Sequence, residues 1–84
     1  MSGRTLKLPD LGFGQQPIRV SLWLADCGES VLLGDPIVEV LAGPAVVDLP
    51  APASGVLVEI LAEEDDLVRP GQPLAVIDCR ERLT

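Results

Sequence analysis

The chain has 84 residues, of which 48 % are hydrophobic, and a formal net charge of −7 from 13 acidic and 6 basic side chains. This length allows one small domain, and the acidic balance disfavours nucleic acids and anionic lipids as partners. No apolar run approaches the roughly 18–20 residues of a membrane-spanning helix, and the N-terminus lacks an apolar signal core. We therefore expect a soluble, cytoplasmic protein that does not engage a membrane.

The apolar pattern predicts short β-strands along the whole chain. Val56, Val58 and Ile60, for example, would share one face of a pleated strand. Turn signals recur every 8–12 residues, which is typical of an all-β sandwich or barrel. In chain order, strands are predicted at residues 5–8, 18–24, 37–41, 45–49, 56–61 and 74–77, with short extended pieces around Val31 and Val68.

One sequence element occurs twice, 37 residues apart. The first copy is Leu24-Ala25-Asp26, Val31 and Gly34-Asp35-Pro36-Ile37, and the second is Leu61-Ala62-Glu63, Val68 and Gly71-Gln72-Pro73-Leu74. The repeat predicts two antiparallel sheets related by an internal quasi-two-fold axis, as a flattened β-barrel or sandwich. Within it, Gly34 and Gly71 would supply turns with positive φ, and Asp65 would replace Gly28 in a left-handed conformation. The domain is predicted to span residues 1–79, with a flexible C-terminal tail at 80–84.

The stretch Leu41-Ala42-Gly43-Pro44-Ala45 would join the strands predicted at residues 37–41 and 45–49, which hold equivalent places in the two halves. Residues 42–45 would then form a protruding hairpin tip. Proline at the second central position forces the preceding residue out of the αR region, which disfavours a type I turn. We expect a differently shaped or longer loop with a trans Gly43–Pro44 bond. The Gly-rich loop at residues 11–16 would lie beside this hairpin tip.

Several motifs together carry a family resemblance, and they keep the order and spacing that the family has. They are Leu8-Pro9-Asp10-Leu11-Gly12, Gly34-Asp35-Pro36, Val47-Asp48-Leu49-Pro50-Ala51-Pro52, Gly55-Val56-Leu57 and Gly71-Gln72-Pro73-Leu74-Ala75-Val76-Ile77. Over residues 5–78 the chain resembles the lipoyl domains of 2-oxo acid dehydrogenase complexes, above all the N-terminal domain of dihydrolipoyl acyltransferases. The resemblance implies a flattened β-barrel whose hairpin tip carries lipoic acid on the lysine of an Asp-Lys-Ala sequence.

The residues at that position depart from the family. Counting back from Pro50, the family's Asp, Lys and Ala fall on Gly43, Pro44 and Ala45. Amide attachment needs a primary amine, whereas the proline nitrogen is already part of the backbone. Lys7 is the only lysine in the sequence and falls in the first predicted strand. Biotinyl domains share the fold but place their lysine between two methionines, and Met1 is the only methionine here. Lipoate is therefore expected for the family but not on this chain, and no cofactor is predicted.

Two interpretations of Gly43-Pro44 stay open. Either an attachment site was lost and these residues simply close a hairpin, or the hairpin tip was reshaped to bind a partner. The resemblance implies that partner enzymes recognise the loop around Leu11-Gly12-Phe13-Gly14, although Phe13 would instead pack against the hairpin if the loop is purely structural. The candidate partner-binding residues are Leu11, Phe13, Ala42, Gly43, Pro44 and Ala45.

The remaining features predict no chemistry. The sequence has no His, and its two cysteines, Cys27 and Cys79, lack metal-ligand or disulfide-framework spacing. The acidic turn at residues 63–66 is read as solvated rather than as a calcium loop, and Trp23 is read as core. No Ser-His-Asp set, phosphate-binding loop or acid–base pair is present, so we predict that the chain is not an enzyme.

The predicted function is that of a degenerate lipoyl-like domain without the lipoyl-lysine, a monomeric structural or docking module. Its expected partners are components of a 2-oxo acid dehydrogenase complex or a lipoate-handling enzyme. One alternative is a true acyl carrier whose arm is attached elsewhere or contributed by another chain. Another is an adaptor of the kind in which this fold serves the membrane-fusion proteins of efflux pumps.

Overall fold

The computed structural model describes residues 3–12, 14 and 16–79, and the predicted tail at 80–84 lies outside the described residues. Each predicted strand is confirmed, with ends that differ by one or two residues, and the extended pieces around Val31 and Val68 are short strands. Within the described residues, no helix has the length and apolar character to cross a membrane. The strands are β1 (Gly3–Lys7), β2 (Ile18–Trp23), β3 (Ser30–Val31), β4 (Pro36–Ala42), β5 (Ala45–Pro50), β6 (Gly55–Ile60), β7 (Leu67–Val68) and β8 (Pro73–Asp78).

The strands form two antiparallel four-stranded sheets, in the orders β1-β8-β6-β3 and β5-β4-β2-β7. Strands β2, β3 and β4 begin 37 residues before β6, β7 and β8, so each sheet has the same order once the halves are exchanged. The predicted internal repeat and all-β class are confirmed. The sequence predicted either a flattened barrel or a sandwich. The structure is a sandwich, because the two sheets do not close on one another.

Equivalent turns in the two halves have the same hydrogen bonds. The amide of Asp26 donates to Glu29 Oε1 at 2.6 Å, and the equivalent amide of Glu63 donates to Asp66 Oδ2 at 2.9 Å. Gly28 has φ 96° in the first of these turns, and Asp65 has φ 75° in the second. Asp65 is therefore the left-handed residue that the alignment with Gly28 predicts.

The left-handed backbone at Asp65 makes a stability prediction. A non-glycine residue in this region costs roughly 1–2 kcal/mol, and Asp bears that cost better than Ala because its short side chain can hydrogen-bond locally. We expect Asp65→Ala to lower the free energy of unfolding by about 1 kcal/mol and Asp65→Gly to leave it equal or higher. Urea denaturation followed by Trp23 fluorescence measures both. Equal stability of the Ala and Gly variants would contradict the assigned backbone strain.

The core between the sheets is aliphatic, as expected from a sequence with one Trp and one Phe. Its largest fully buried side chains are Leu8, Val20, Ile37, Val38, Val40, Leu57, Leu74 and Ile77. Trp23 is half-buried and packs against this core, and its Nε1–H donates to the carbonyl of Ala62 at 2.8 Å. Ile60, 37 residues later, is likewise half-buried against the core.

Candidate functional site

The hairpin tip is a tight two-residue loop. The β4–β5 ladder runs from Pro36 opposite Pro50 to Ala42 opposite Ala45, which leaves Gly43 and Pro44 unpaired at the end. Gly43 has φ 60°, and Pro44 is not among the residues with positive φ. Positive φ at the first central position alone is the pattern of a type II′ turn. The tip is thus differently shaped from a type I turn, which is one of the two predicted alternatives, and it is not longer than two residues.

The local sequence explains this turn. A type II′ turn has the twist that two antiparallel strands need, and it requires glycine at the first central position. The proline ring fixes a negative φ at the second position, where the turn needs one. No peptide bond among the described residues is cis, so the Gly43–Pro44 bond is trans as expected. Gly43 and Pro44 together close the hairpin without an extra residue.

The candidate residues at the hairpin tip differ in accessibility. Gly43 and Pro44 are exposed and Ala45 is half-buried, whereas Ala42 is fully buried in the core. A partner approaching from solvent would therefore meet Gly43, Pro44 and Ala45 but not the side chain of Ala42. The exposed pair provides no amine, carboxylate, hydroxyl or thiol, so the hairpin tip has no group for acid–base or nucleophilic chemistry.

The loop after β1 reaches the hairpin tip, as predicted. Its first turn is held by Asp10 Oδ1, which accepts a hydrogen bond from the amide of Gly12 at 2.9 Å, and Gly12 has φ 81°. The Gln16 side chain lies against Gly43, since a Cβ built on Gly43 would stand 2.6 Å from Gln16 Oε1. Leu11 is half-buried and packs against the core. Phe13, the other candidate in this loop, lies outside the described residues.

A groove runs from the hairpin tip along the loop and β7. It consists of two adjoining depressions of about 570 and 300 Å³ that share Gln16, Pro17 and Leu67. Arg69 lines the larger depression, and Arg19 and Leu41 line the smaller. The sequence analysis did not identify this groove, because it depends on β2 pairing with β7, two strands from different halves of the repeat.

Lys7 stands apart from the hairpin tip in the fold. It is an exposed residue of β1, opposite Pro73 of β8, in the sheet that does not contain the β4–β5 hairpin. The acidic turn at residues 63–66 faces solvent. Among the described residues no three His, Cys, Asp or Glu side chains are grouped so that they would hold a metal ion. Cys27 is exposed and Cys79 half-buried, and both are free.

Comparison with family models and curated proteins gives one consistent result. Residues 4–77 match the Biotin_lipoyl family, described as "Biotin-requiring enzyme". The chain is 34 % identical over 73 residues to the dihydrolipoyllysine-residue acetyltransferase component of the pyruvate dehydrogenase complex of Corynebacterium glutamicum, covering 87 % of this chain and 11 % of that protein. The same component of Mycobacterium bovis is 41 % identical over 70 residues, covering 83 % and 13 %. The succinyltransferase component of the 2-oxoglutarate dehydrogenase complex of Bartonella vinsonii is 32 % identical over 74 residues, covering 88 % and 18 %.

Solved structures agree on the fold. The lipoyl domain of the 2-oxoglutarate dehydrogenase complex from Azotobacter vinelandii superimposes with a TM-score of 0.72 at 28 % identity, covering 88 % of this chain and 94 % of that domain. The Kluyveromyces lactis urea carboxylase contains a similar fold, with a TM-score of 0.78 at 24 % identity over 93 % of this chain and 6 % of that one. The chain thus matches one whole isolated domain, while it spans between about a tenth and a fifth of the length of the curated relatives.

Proposed function

The chain belongs to the Biotin_lipoyl family, and from that membership we propose that it is a lipoyl-type domain without a prosthetic group. It would serve as a non-catalytic docking or structural module of a 2-oxo acid dehydrogenase complex. The observation that carries this proposal is Pro44 at the hairpin tip, where the resemblance to lipoyl domains places the modified lysine. A tertiary backbone nitrogen cannot form a second amide, so the tip has no attachment point.

The structure around Pro44 supports the proposal that the domain still binds a partner protein. The Gly43-Pro44 turn is tightly closed, and Gln16, at the end of the loop after β1, lies against Gly43. The loop that the resemblance assigns to partner recognition is therefore next to the hairpin tip. The curated relatives are components of pyruvate and 2-oxoglutarate dehydrogenase complexes, which makes such a complex the proposed partner. A cytoplasmic location and a monomeric state remain part of this proposal.

The alternative of a carrier with its arm elsewhere would need Lys7. The Lys7 amine is exposed, but its backbone belongs to a paired strand rather than to a turn. A lysine on the side of a sheet is not presented as the lysine of a hairpin tip would be. Attachment at Lys7 is therefore disfavoured by the position of this residue, and the non-carrier function is preferred.

The docking role predicts association without acyl transfer. We expect the chain to co-elute in gel filtration with purified pyruvate dehydrogenase complex from Corynebacterium glutamicum, and an excess of that complex's isolated lipoyl domain should displace it. In the same mixture, radiolabelled pyruvate should acetylate the native lipoyl domains and leave this chain unlabelled. Failure to co-elute at any complex concentration would contradict the docking role, and label on this chain would contradict the non-carrier role.

A further inference from the structure

The groove beside the hairpin tip has an unusual charge for this molecule. The sequence carries 13 acidic residues, yet neither depression is lined by an Asp or Glu of the described part of the chain. The charged residues that do line them are Arg19 and Arg69, from β2 and from the turn that follows β7. We call this surface the arginine groove, defined by Gln16, Pro17, Arg19, Leu41, Leu67 and Arg69.

Aliphatic side chains flank Arg19 on both sides. It pairs with Leu67 of β7 across one edge of β2 and with Leu41 of β4 across the other, and Leu41 in turn pairs with Val46. Neighbouring strands lie about 4.8 Å apart, so these four residues form one continuous row. Leu67 is 61 % exposed and Val46 is 60 % exposed. A guanidinium beside aliphatic side chains suits a ligand that presents a carboxylate on an aliphatic stem, as a glutamate side chain does.

Both guanidinium groups are available to a ligand. Arg19 and Arg69 are exposed, and among the described residues neither guanidinium makes a hydrogen bond or an ion pair. Arg69 comes directly after β7, two residues beyond Leu67, which is the partner of Arg19 in the β2–β7 pair. Two carboxylates on alternate residues of an extended peptide lie on the same face, since a strand rises about 3.3 Å per residue and its side chains alternate between faces.

We propose that the arginine groove binds an extended segment of a partner protein that carries a glutamate at every second position, so that these carboxylates share the face toward the groove. This inference rests on the proposed docking function and names the chemistry of the partner. The net charge of −7 disfavours a polyanion such as nucleic acid, because its many phosphates would meet the acidic surface beyond the groove. The carboxylates of a short acidic segment would form charge-assisted hydrogen bonds with Arg19 and Arg69, and the aliphatic stems of the glutamates would lie over Leu67.

The test uses two blocked peptides, one of alternating Ser and Glu and one of alternating Ser and Gln. Titrated into the ¹⁵N-labelled chain at 0.15 M salt, the Glu peptide should shift amides of residues 16–19, 41–43 and 67–70. It should bind about tenfold more tightly than the Gln peptide, which keeps the aliphatic contacts but loses the charge. Arg19→Gln with Arg69→Gln should abolish that difference. The matched control is Arg4→Gln, an exposed arginine on β1, which should preserve it.

Four results would overturn the proposal. Equal binding of the two peptides would show that the carboxylates have no role. If the Arg4→Gln variant also lost the difference in affinity between the peptides, the cause would be the overall charge of the chain and not the groove. Concentration-dependent shifts at the groove without peptide would identify a second copy of this chain as its occupant. If the chain co-elutes with the pyruvate dehydrogenase complex but does not bind the Glu peptide, only this inference is wrong. If it binds the Glu peptide but does not co-elute with the complex, the docking function is wrong. Unfolding curves from Trp23 fluorescence should be unchanged in both variants, because these guanidinium groups make no hydrogen bond or ion pair within the part of the chain that the structure describes.

Discussion

The Gly43→Asp/Pro44→Lys variant is expected to become lipoylated when it is co-expressed with a lipoate–protein ligase, whereas the wild type stays unmodified. The lysine supplies the primary amine that proline lacks. The aspartate removes the glycine that the type II′ turn requires at φ 60°, so the hairpin tip must convert to a turn that accepts two L-residues. The Gln16 side chain, which a Cβ on residue 43 would meet at 2.6 Å, can rotate away because it is flexible and exposed.

The Pro44→Lys variant separates the two requirements. It has the amine but keeps Gly43 and therefore the type II′ turn, so the lysine is presented in a different direction. Converting the turn costs roughly 1–2 kcal/mol, and we expect this variant to be modified about tenfold more slowly than the double variant. Intact-mass spectrometry over a time course measures both rates, and peptide mapping identifies the modified residue.

The matched control is Pro44→Ala, which changes the backbone in the same way and adds no amine. It should remain unmodified. Modification of this control would show that attachment does not need an amine at the hairpin tip. A folded double variant that stays unmodified would show that the scaffold does not present the tip as a lipoyl domain does.

The second large effect is expected at Gly55, the first residue of β6. A Cβ built there would overlap the backbone carbonyl of Asp78 on β8, which cannot rotate away as a side chain can. Since β6 and β8 are the two central strands of their sheet, the overlap would separate the ladder that holds it together. Overpacking of this kind costs about 1–3 kcal/mol and sometimes more, against a total stability of only about 5–15 kcal/mol. We expect Gly55→Ala to lose about 3 kcal/mol or to fail to fold.

Gly3→Ala is the matched control for Gly55→Ala. Gly3 pairs with the same Asp78 from the other side of β8, but a Cβ there would meet Val76 Cγ1 at an ordinary 3.6 Å. Its unfolding midpoint should lie close to that of the wild type. Thermal unfolding monitored by Trp23 fluorescence compares the two variants. Similar midpoints for both would contradict the close approach of β6 and β8 at Gly55.

The strands could be predicted because the signals for them are local. Alternating Val and Ile and the repeated Gly-x-Pro turns each involve a few neighbouring residues. The 37-residue repeat aligns the two halves of the sequence, which is why Asp65 can be matched to Gly28 from the sequence. Turn chemistry also disfavours a type I turn at Gly43-Pro44, but it leaves the length of the loop open. The register of β4 on β5 determines that length, and register depends on the packing of the whole sheet.

The features that sequence analysis missed arise from contacts between distant residues. Arg19 and Leu67 become neighbours because the short strand β7 of the second half pairs with β2 of the first. Nothing near either residue indicates this exchange. The need for glycine at position 55 has the same origin, since β8 approaches it from 23 residues along the chain. Pairing between distant strands therefore determines both the arginine groove and the close approach of β8 to Gly55.

The inferred loss of the prosthetic group is tested most directly by the intact mass of the wild-type chain after co-expression with lipoate–protein ligase and biotin–protein ligase. We expect the unmodified polypeptide mass, while a native lipoyl domain expressed alongside gains its cofactor completely. A lipoyl or biotinyl increment on the wild type, whether on Lys7 or on any other residue, would contradict that loss.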